Sequence, residues 1–465
     1  VRLRSYQGDA IDPNAPFVSP TVEVSPGDTL RITLNNQLPK DPTCTSPASV
    51  NTPHCFNGTN LHTHGLWVNP GGNGDNVLIS INPGVSFQYE YKIPPDHPAG
   101  TFWYHTHRHG STALQVSSGM AGALIVRGKR VPSATSNGDL DTLLRGTSRQ
   151  PFTERIVVMQ QIQYACRDDQ GKIKVDPVDK SYRCDEKDVG SVEGYDQFGP
   201  PTWRNSGRYT SINGLVLPTF SGTRAGVPER WRVAHGGVRD TISLQFLELK
   251  GGARTTNGLK ATDNDGFVRE NCAGPPVTQY LIAADGLTLS SAIKSAITVF
   301  QPGYRWDALI SFPKVGTYCV INAAAPASNV GQTAPSRQLL GFVSVETGTG
   351  VQGDPSLHVT DALIRAANQN MPASIRSKVI ADLRAGMRLD SFIAHADVKD
   401  GDVTGKQTLT FNIDINQNPV QFQIDGRSYD TGRIDRVLRL GGVDEWTIKS
   451  DFVGHPFHIH VNPFQ

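Results

Sequence analysis

Polar and apolar residues alternate over short segments of this 465-residue chain, and turn-forming dipeptides separate the segments. Residues 21–34, TVEVSPGDTLRITL, alternate in this way on both sides of Pro26-Gly27. A period of two residues is typical of a strand with one buried face, and Pro-Gly ends one strand before the next begins. The pattern therefore predicts a pair of strands here and an all-β fold for the chain.

The same two-strand pattern recurs later in the chain. Residues 226–234, GVPERWRVA, and 442–449, GVDEWTIK, are similar to the first segment. A second repeat is clearer. GTFWYH at 100–105 and GTYCVI at 316–321 each follow a Pro-Gly turn, but only the first copy ends in histidines. Three copies of one β unit predict three similar β-sandwich domains, and the middle one has lost the histidines of this strand.

We place the three predicted domains at residues 1–130, 150–350 and 355–465, joined by linkers at 132–149 and 346–355. A different pattern follows the second linker, where Ala, Leu, Ile and Arg recur at helical spacing. This stretch, residues 361–388, predicts one helix that connects domains or covers their surface.

Charged residues are balanced, since 44 Lys and Arg face 43 Asp and Glu for a net charge of +1. No basic stretch indicates nucleic acid or an anionic membrane as a partner. The longest apolar run, about residues 119–126, is far shorter than the roughly 20 residues that a membrane-spanning helix needs. The composition therefore predicts a protein without a nucleic-acid partner and without a membrane span.

The six cysteines fall into three neighbouring pairs: Cys44/Cys55, Cys166/Cys184 and Cys272/Cys319. Even number and short separations favour three disulfides, and hence a secreted or periplasmic protein in an oxidising compartment. Six unrelated buried thiols are the alternative. The chain begins with Val1 rather than methionine, which we interpret as a mature or trimmed chain.

Three His-x-His pairs carry the candidate chemistry: His62/His64, His105/His107 and His458/His460. Thirteen histidines scattered at random would give about 0.4 such pairs, whereas the chain has four when His107/His109 is counted. Residues i and i+2 of a strand face the same way, so each pair aims two imidazoles at one place. Three strands arranged around one centre predict a cage of nitrogen ligands suited to copper, zinc or iron.

His455 is expected to face a different side of the strand from His458, although both belong to the HPFHIH segment. In a strand, residues three apart face opposite sides. We therefore expect His455 to serve a second metal site, separate from the one that His458 and His460 face.

Three motifs together resemble the multicopper oxidases, and the bacterial laccase-like members most closely: HTHG at 62–65, WYHTHRHG at 103–110 and HPFHIH at 455–460. The similarity extends to the middle of the chain, where SINGLVLP, PERWRV and LIAADG resemble the histidine-free spacer domain of that family. The resemblance implies three cupredoxin-like Greek-key β-sandwich domains. It also implies four copper ions: one of type 1, one of type 2 and a type 3 pair.

The resemblance implies a role for each ligand by its position in the motifs. His62 and His458 would bind the type 2 copper; the type 3 pair would take His64, His105, His107 and His460. His455 would bind the type 1 copper beside a cysteine and a second histidine. Asp75, in GDN shortly after the first motif, resembles the carboxylate that assists proton delivery to oxygen, although an ordinary turn aspartate would look the same.

One family motif, His-Cys-His followed by another His, is not found in the sequence, and none of the six cysteines is flanked by histidine. The two ligand strands of the first domain start 43 residues apart, at 62 and 105, and the same offset from His458 lies past residue 465. We therefore expect the third domain to be incomplete at its C-terminal side and the protein to continue beyond residue 465. A real truncation is the alternative.

The function implied by the resemblance is a laccase-type oxidation that passes single electrons from a small aromatic reductant to dioxygen. Family members specialised for cuprous ion carry Met-rich insertions, whereas the four methionines here are scattered at 120, 159, 371 and 387. This favours phenols and aromatic amines over metal ions. A copper-binding relative without catalysis is the non-enzymatic alternative. Eight or more histidines without carboxylate ligands also suit copper better than zinc.

Overall fold

The structure is a computed structural model that describes residues 1–9, 18–45, 51–146, 152–198, 202–251, 259–323, 338–351, 353–452 and 454–465. Strands dominate, and they fall into an N-terminal, a middle and a C-terminal group along the chain. Within the described residues, every strand pairs with strands of its own group. The predicted all-β fold is confirmed, whereas the proposed domain boundaries stay a prediction.

The N-terminal group consists of β1 (Val22–Val24), β2 (Thr29–Asn35), β3 (His62–His64), β4 (Ser86–Lys92), β5 (Gly100–His105) and β6 (Ala121–Val126). One sheet has the order β1-β6-β5-β3, with β1 parallel to β6 and the other pairs antiparallel. β2 and β4 form a separate antiparallel pair. The strands on the two sides of Pro26-Gly27 therefore exist as predicted, but they join different partners and do not form a hairpin with each other.

The middle group contains twelve described strands: β7 (Glu154–Gln161), β8 (Thr210–Ile212), β9 (Thr219–Arg224), β10 (Glu229–His235), β11 (Ile242–Leu249), β12 (Cys272–Ala273), β13 (Gln279–Ala284), β14 (Leu287–Ser295), β15 (Thr298–Phe300), β16 (Arg305–Ile310), β17 (Gly316–Asn322) and β18 (Gln338–Glu346). They form two six-stranded sheets, ordered β14-β13-β16-β10-β7-β8 and β12-β11-β17-β18-β9, with β15 paired to β11. Trp231, Phe246 and Phe312 are fully buried in the core that these strands share.

The C-terminal group is a four-stranded sheet of β19 (Gly405–Asp414), β20 (Gln421–Ile424), β21 (Arg427–Ser428) and β22 (Asp444–Ser450), in the order β21-β20-β19-β22. Leu409 is the one buried hydrophobic side chain among the described residues from 401 to 465. Phe422, Val437 and Leu440 are exposed, Leu440 completely so. This part of the chain therefore presents more apolar surface to solvent than a folded domain of its size normally does.

We expect a polarity-sensitive dye such as anilinonaphthalene sulfonate to bind the native chain at this exposed apolar surface. Replacing Val437 and Leu440 together by serine should lower the dye fluorescence and change the free energy of unfolding by less than about 0.5 kcal/mol, because neither side chain is packed. Dye titration and urea unfolding of both proteins measure the two quantities. Unchanged fluorescence, or a large loss of stability, would show that these side chains are covered in solution.

The described helices are α1 (Thr112–Ser118), α2 (Leu140–Leu144), α3 (Thr202–Ser206), α4 (Asn264–Asn271), α5 (Pro355–Asn370) and α6 (Ala373–Arg384), with 3-10 turns at Pro42–Thr45, Tyr195–Gln197, Ala261–Asp263, Asp390–Phe392 and Asp400–Asp402. The prediction of one helix over residues 361–388 was wrong. Two helices stand there, the first begins earlier, and they are separated at Pro372, which cannot continue the helix before it. None of the described helices has the length and apolar character that crossing a bilayer requires.

The helix pair α5–α6 does more than cover the surface. Its apolar residues form a core with α2 and with side chains of the middle sheets, among them Tyr280, Ile282 and Leu309. The buried helical residues are Val359, Ala362, Leu363, Ala366, Ala367, Ile375, Val379 and Leu383. The helices therefore close one side of the middle group before the chain enters the C-terminal sheet.

A buried ion network joins the N-terminal sheet to the middle sheets. Arg230 and Arg232 of β10 share Asp307 of β16, and all three side chains are almost completely buried. Both arginines also pair with Asp141 of α2. Thr101 of β5 donates its hydroxyl to Asp307 and accepts a hydrogen bond from Arg232. Because β5 also carries His105, the network holds a candidate ligand strand against the middle sheets.

Disulfides join each of the three predicted cysteine pairs, Cys44–Cys55, Cys166–Cys184 and Cys272–Cys319. The prediction of three disulfides is confirmed. All six cysteines of the sequence are thereby paired, so none has a free thiol.

Candidate metal centre

Two N-terminal strands place the first histidines of the candidate centre. β3 and β5 pair antiparallel, with His62 opposite His105 and His64 opposite Trp103. His62 and His64 are two residues apart on β3, so their rings share one face. The ring centroid of His62 lies 5.7 Å from that of His64 and 5.1 Å from that of His105. His107 follows the end of β5, and its ring lies 5.1 Å from that of His62.

The C-terminal segment brings two more rings to the same place. His460 stacks on His62 with centroids 4.3 Å apart, and His458 stacks on His64 at 4.0 Å. Residues 454–460 form no strand, so the strand predicted for this segment was wrong. The two rings still face one centre and lie 4.8 Å from each other. The structure thus brings together all six histidines of the three His-x-His pairs.

The donor atoms of this six-histidine cluster fit a metal. Ring nitrogens of His62, His64 and His458 all lie within 4.8 Å of one another. His62 Nε2 is buried without any hydrogen-bond partner, which is costly for a polar atom unless something else binds it. Burial lowers the pKa of His62, His64 and His105 well below the ordinary histidine value. These imidazoles are therefore neutral and offer lone pairs, as nitrogen ligands of copper do.

Asp75 is buried directly behind His62. Its Oδ2 accepts a hydrogen bond from His62 Nδ1 at 2.7 Å, while Oδ1 accepts from the backbone N–H of Thr63 at 2.8 Å and from its hydroxyl at 3.1 Å. The backbone N–H of Asp75 donates to Asn69, which closes the turn that carries it. Burial raises the pKa of Asp75 to about 6 against the lowering effect of the Thr63 hydrogen bonds. A carboxylate on Nδ1 leaves Nε2 as the free donor and fixes the orientation of the ring.

His455 lies apart from the six-histidine cluster. Its ring stacks on Phe411 of β19 with centroids 4.1 Å apart and planes 7° from parallel. The side chain is exposed, and Nδ1 donates to the carbonyl of Pro456. The described residues place neither a thiolate nor a second histidine against it.

Comparison with known proteins agrees with this centre. The sequence model of the multicopper oxidase family matches residues 48–131, which include four of the six clustered histidines and Asp75. Residues 48–131 are thus similar to a domain of multicopper oxidases. The resemblance stated from the motifs is thereby confirmed.

Curated relatives match about a quarter of the chain. Laccase-2 of Fomitopsis schrenkii is 32% identical over 127 residues, which cover 26% of this chain and 20% of that protein. The iron transport multicopper oxidase FET3 of Gibberella zeae is 32% identical over 134 residues, which cover 28% of this chain and 18% of that protein. The chain therefore spans about a fifth of the length of these relatives.

Solved structures of multicopper oxidases are similar over almost the whole chain. One is the laccase-like CueO of an Ochrobactrum species, described as having oxidase activity towards lignin model compounds and lignosulfonate. The match covers 96% of this chain and 76% of that protein, with 20% identity and a TM-score of 0.57. A multicopper oxidase of Campylobacter jejuni described as a metallo-oxidase covers 93% and is covered to 68%, with 19% identity and a TM-score of 0.54. At this identity the likeness concerns the fold, and it confirms the cupredoxin-like class.

Two residues of the centre were missed by the sequence reasoning. Trp103 stacks on His105 at 4.2 Å and lies tilted against His64 at 5.0 Å, and its indole N–H is buried without a hydrogen-bond partner. The signal was present, because Trp103 stands two residues before His105 on β5 and so shares its face. Arg305 of β16 reaches the same region from the middle sheets, and no local pattern pointed to it.

The remaining histidines of the chain have ordinary surroundings. His109 packs on Tyr429 at 4.5 Å and contacts Asn51. His97 and His235 are fully buried, and both ring nitrogens of each take part in hydrogen bonds with backbone groups. His54, His358 and His395 each contact a backbone carbonyl.

A cavity of about 540 Å³ lies in the middle group, away from the histidines. Tyr164, Tyr182, Tyr209 and Arg208 line it beside the Cys166–Cys184 disulfide. None of the seven predicted ligand histidines contributes to its wall.

Proposed function

We propose that the chain binds copper at the six-histidine cluster and carries out a laccase-type oxidation of phenols or aromatic amines with dioxygen, which is reduced to water. The observation that carries the proposal is the convergence of His62, His64, His105 and His107 with His458 and His460 on one centre. His62 Nε2 is buried in this cluster without a hydrogen-bond partner, and a bound metal would balance that cost.

The assignment of ligands follows the motifs. His62 and His458 are proposed for the type 2 copper, and His64, His105, His107 and His460 for the type 3 pair. His455 is proposed for the type 1 copper, apart from the cluster, which brings the expected total to four ions. The three disulfides favour a secreted or periplasmic location, where the aromatic reductant and dioxygen are both available.

The residues of the chain would act on the site in distinct ways. Asp75 holds His62 through Nδ1, so that Nε2 points into the cluster. Trp103 packs against two of the rings and excludes water from one side. Bound copper would supply the single-electron chemistry that links the reductant to dioxygen. The role of Asp75 in proton delivery stays a prediction, and its buried place beside His62 is consistent with it.

The methionines support an aromatic reductant over cuprous ion. All four, Met120, Met159, Met371 and Met387, are buried in hydrophobic cores. Thioether sulfur is a preferred ligand of cuprous ion. A protein that takes up cuprous ion through methionine would need such sulfur at its surface, and none of these four is there.

The second candidate function is copper binding without oxidation. It applies if residue 465 is the true C-terminus, because a type 1 copper site requires a thiolate and the six cysteines of residues 1–465 are all paired in disulfides. In that case the cluster would bind copper, but electrons would have no thiolate-linked route into it.

Copper loading and oxygen uptake test both candidates in one set of measurements. We expect the protein, expressed from its complete reading frame, to bind several copper ions and to consume oxygen with 2,6-dimethoxyphenol faster than with cuprous ion. A variant that carries His62→Ala and His458→Ala should lose most of the copper, whereas His109→Ala, outside the cluster, should keep it. Copper binding without oxygen uptake would favour the non-catalytic candidate, faster uptake with cuprous ion would favour a metal oxidase, and no copper binding would contradict the proposal.

A further inference from the structure

Arg305 is a buried cation at the boundary between the middle sheets and β5. Its side chain is only 5% exposed. All three guanidinium nitrogens donate to main-chain carbonyls: Nη1 to Gly303 at 2.9 Å, Nη2 to Asp285 at 3.0 Å and Nε to Thr101 at 3.4 Å. The carboxylate of Asp285, half exposed, is its ion-pair partner. The guanidinium therefore bridges two turns of the middle group and the ligand strand β5.

The guanidinium also touches the backbone directly after His64. A Cβ atom on Gly65 would lie 2.9 Å from Arg305 Nη2 and 3.1 Å from Phe102 Cδ1, so a side chain would displace one of them. Gly65 also has a φ of +91°, which L-residues rarely adopt. The arginine thus packs against the peptide that fixes the direction of His64.

The turn that carries Arg305 reaches the ring of His64 itself. A Cβ atom on Gly303 would lie 3.5 Å from His64 Cε1 and 3.7 Å from Trp103 Cζ2. His458 also stacks on His64. The His64 ring therefore contacts both the middle group and the C-terminal segment.

The charge of Arg305 acts on the same rings. Burial is the largest cause that lowers the pKa of His64, and the charge of Arg305 is the next; for His62 and His458, neighbouring histidines come before Arg305. A fixed positive charge in a poorly solvated region is felt strongly because little water screens it. The contacts of Arg305 and its charge therefore both act on His64 and the rings next to it.

We propose that Arg305 is a positioning residue for the metal centre, which fixes His64, and through it His458, from a part of the chain that supplies no histidine ligand. The inference rests on the proposed binding of copper by the six-histidine cluster. It gives the middle group a direct part in building the centre, beyond connecting the N-terminal and C-terminal groups.

The test compares Arg305→Gln and Arg305→Lys with a matched control, Arg208→Gln. Arg208 lies over the ring of Tyr164 at 3.8 Å, as Arg305 lies over that of Phe102 at 6.0 Å, and it donates to a main-chain carbonyl at the separate cavity. Circular dichroism and thermal unfolding first establish that each full-length variant is folded at the assay temperature. Cupric ion alone is then titrated in competition with a chelator, and the paramagnetic resonance spectrum of the bound copper is recorded.

We expect Arg305→Gln to weaken copper binding by about 10-fold or more and to alter the spectrum, as removal of a group that orients a ligand does. Arg305→Lys should be intermediate, because one ammonium cannot reach three carbonyls in different directions. Arg208→Gln should match the unaltered chain in both measurements.

Wild-type affinity and spectrum in folded Arg305→Gln would overturn the inference and leave the copper site standing. Should Arg305→Gln fail to fold, Arg305→Lys decides: wild-type affinity and spectrum overturn the inference, and a change in both supports it. A chain that binds no copper before any substitution would overturn the proposed function and this inference with it.

Discussion

Replacing Asp75 by asparagine will weaken copper binding by about 10- to 100-fold, the usual cost of removing the group that orients a histidine ligand. Both carboxylate oxygens are occupied as acceptors, one by His62 Nδ1 and the other by the N–H and hydroxyl of Thr63. An amide has a single acceptor oxygen. Asparagine therefore leaves either the His62 ring or the Thr63 N–H facing an NH₂ group, and His62 loses its fixed tautomer and orientation.

Chelator competition with cupric ion measures the effect at pH 7. Asp28→Asn is the matched control, because Asp28 is also a turn aspartate of the N-terminal group and accepts a backbone N–H, that of Ser25. Asp28→Asn should keep the affinity of the unaltered chain. Equal affinities for the Asp75 variant and the control would mean that His62 is oriented without the carboxylate.

Replacing Asp307 by asparagine should lower the free energy of unfolding by about 3–5 kcal/mol, as is typical when one partner of a buried ion pair is removed. Asp307 is 1% exposed and accepts hydrogen bonds from Arg230, Arg232 and Thr101. Asparagine has almost the same size, so packing is preserved while two buried guanidinium groups lose part of their compensating charge. The cost therefore comes from electrostatics and not from a cavity.

Urea unfolding followed by tryptophan fluorescence measures this loss. The matched control is Glu445→Gln, which removes one partner of a solvent-exposed ion pair with Lys406 and should leave the unfolding midpoint unchanged. A loss for Asp307→Asn no greater than that of the control would show that water or the remaining acids compensate the arginines. Because Thr101 of β5 belongs to the network, we also expect weaker copper binding in the Asp307 variant.

Much of the six-histidine cluster could be predicted from the sequence because its histidines obey a local rule. A separation of two residues on a strand determines a shared face, and this holds for His62 and His64 wherever the strand is placed. The cysteine pairs were predictable for a similar reason, since short separations limit the choice of partner. The C-terminal pair shows the limit of the rule: His458 and His460 meet the cluster although their segment is not a strand.

Contacts between distant parts of the chain could not be predicted in this way. Arg305 and Gly65 are 240 residues apart in the sequence, and nothing in the local pattern of either says that they touch. The same is true of Thr101 and Asp307, whose hydrogen bond joins two strand groups. The prediction of a single helix over residues 361–388 was wrong for a reason that the sequence itself shows, because Pro372 separates α5 from α6.

The burial of the sulfur atoms has a consequence for the lifetime of the protein. Oxidants such as hydrogen peroxide convert thiols to sulfenic acids and accessible methionines to sulfoxides, and the polar products disrupt packing. All six cysteines of the sequence are in disulfides and all four methionines are buried in cores. In folded residues 1–465, peroxide therefore finds neither a thiol nor an accessible methionine sulfur. Oxidation of the methionines would require local unfolding first.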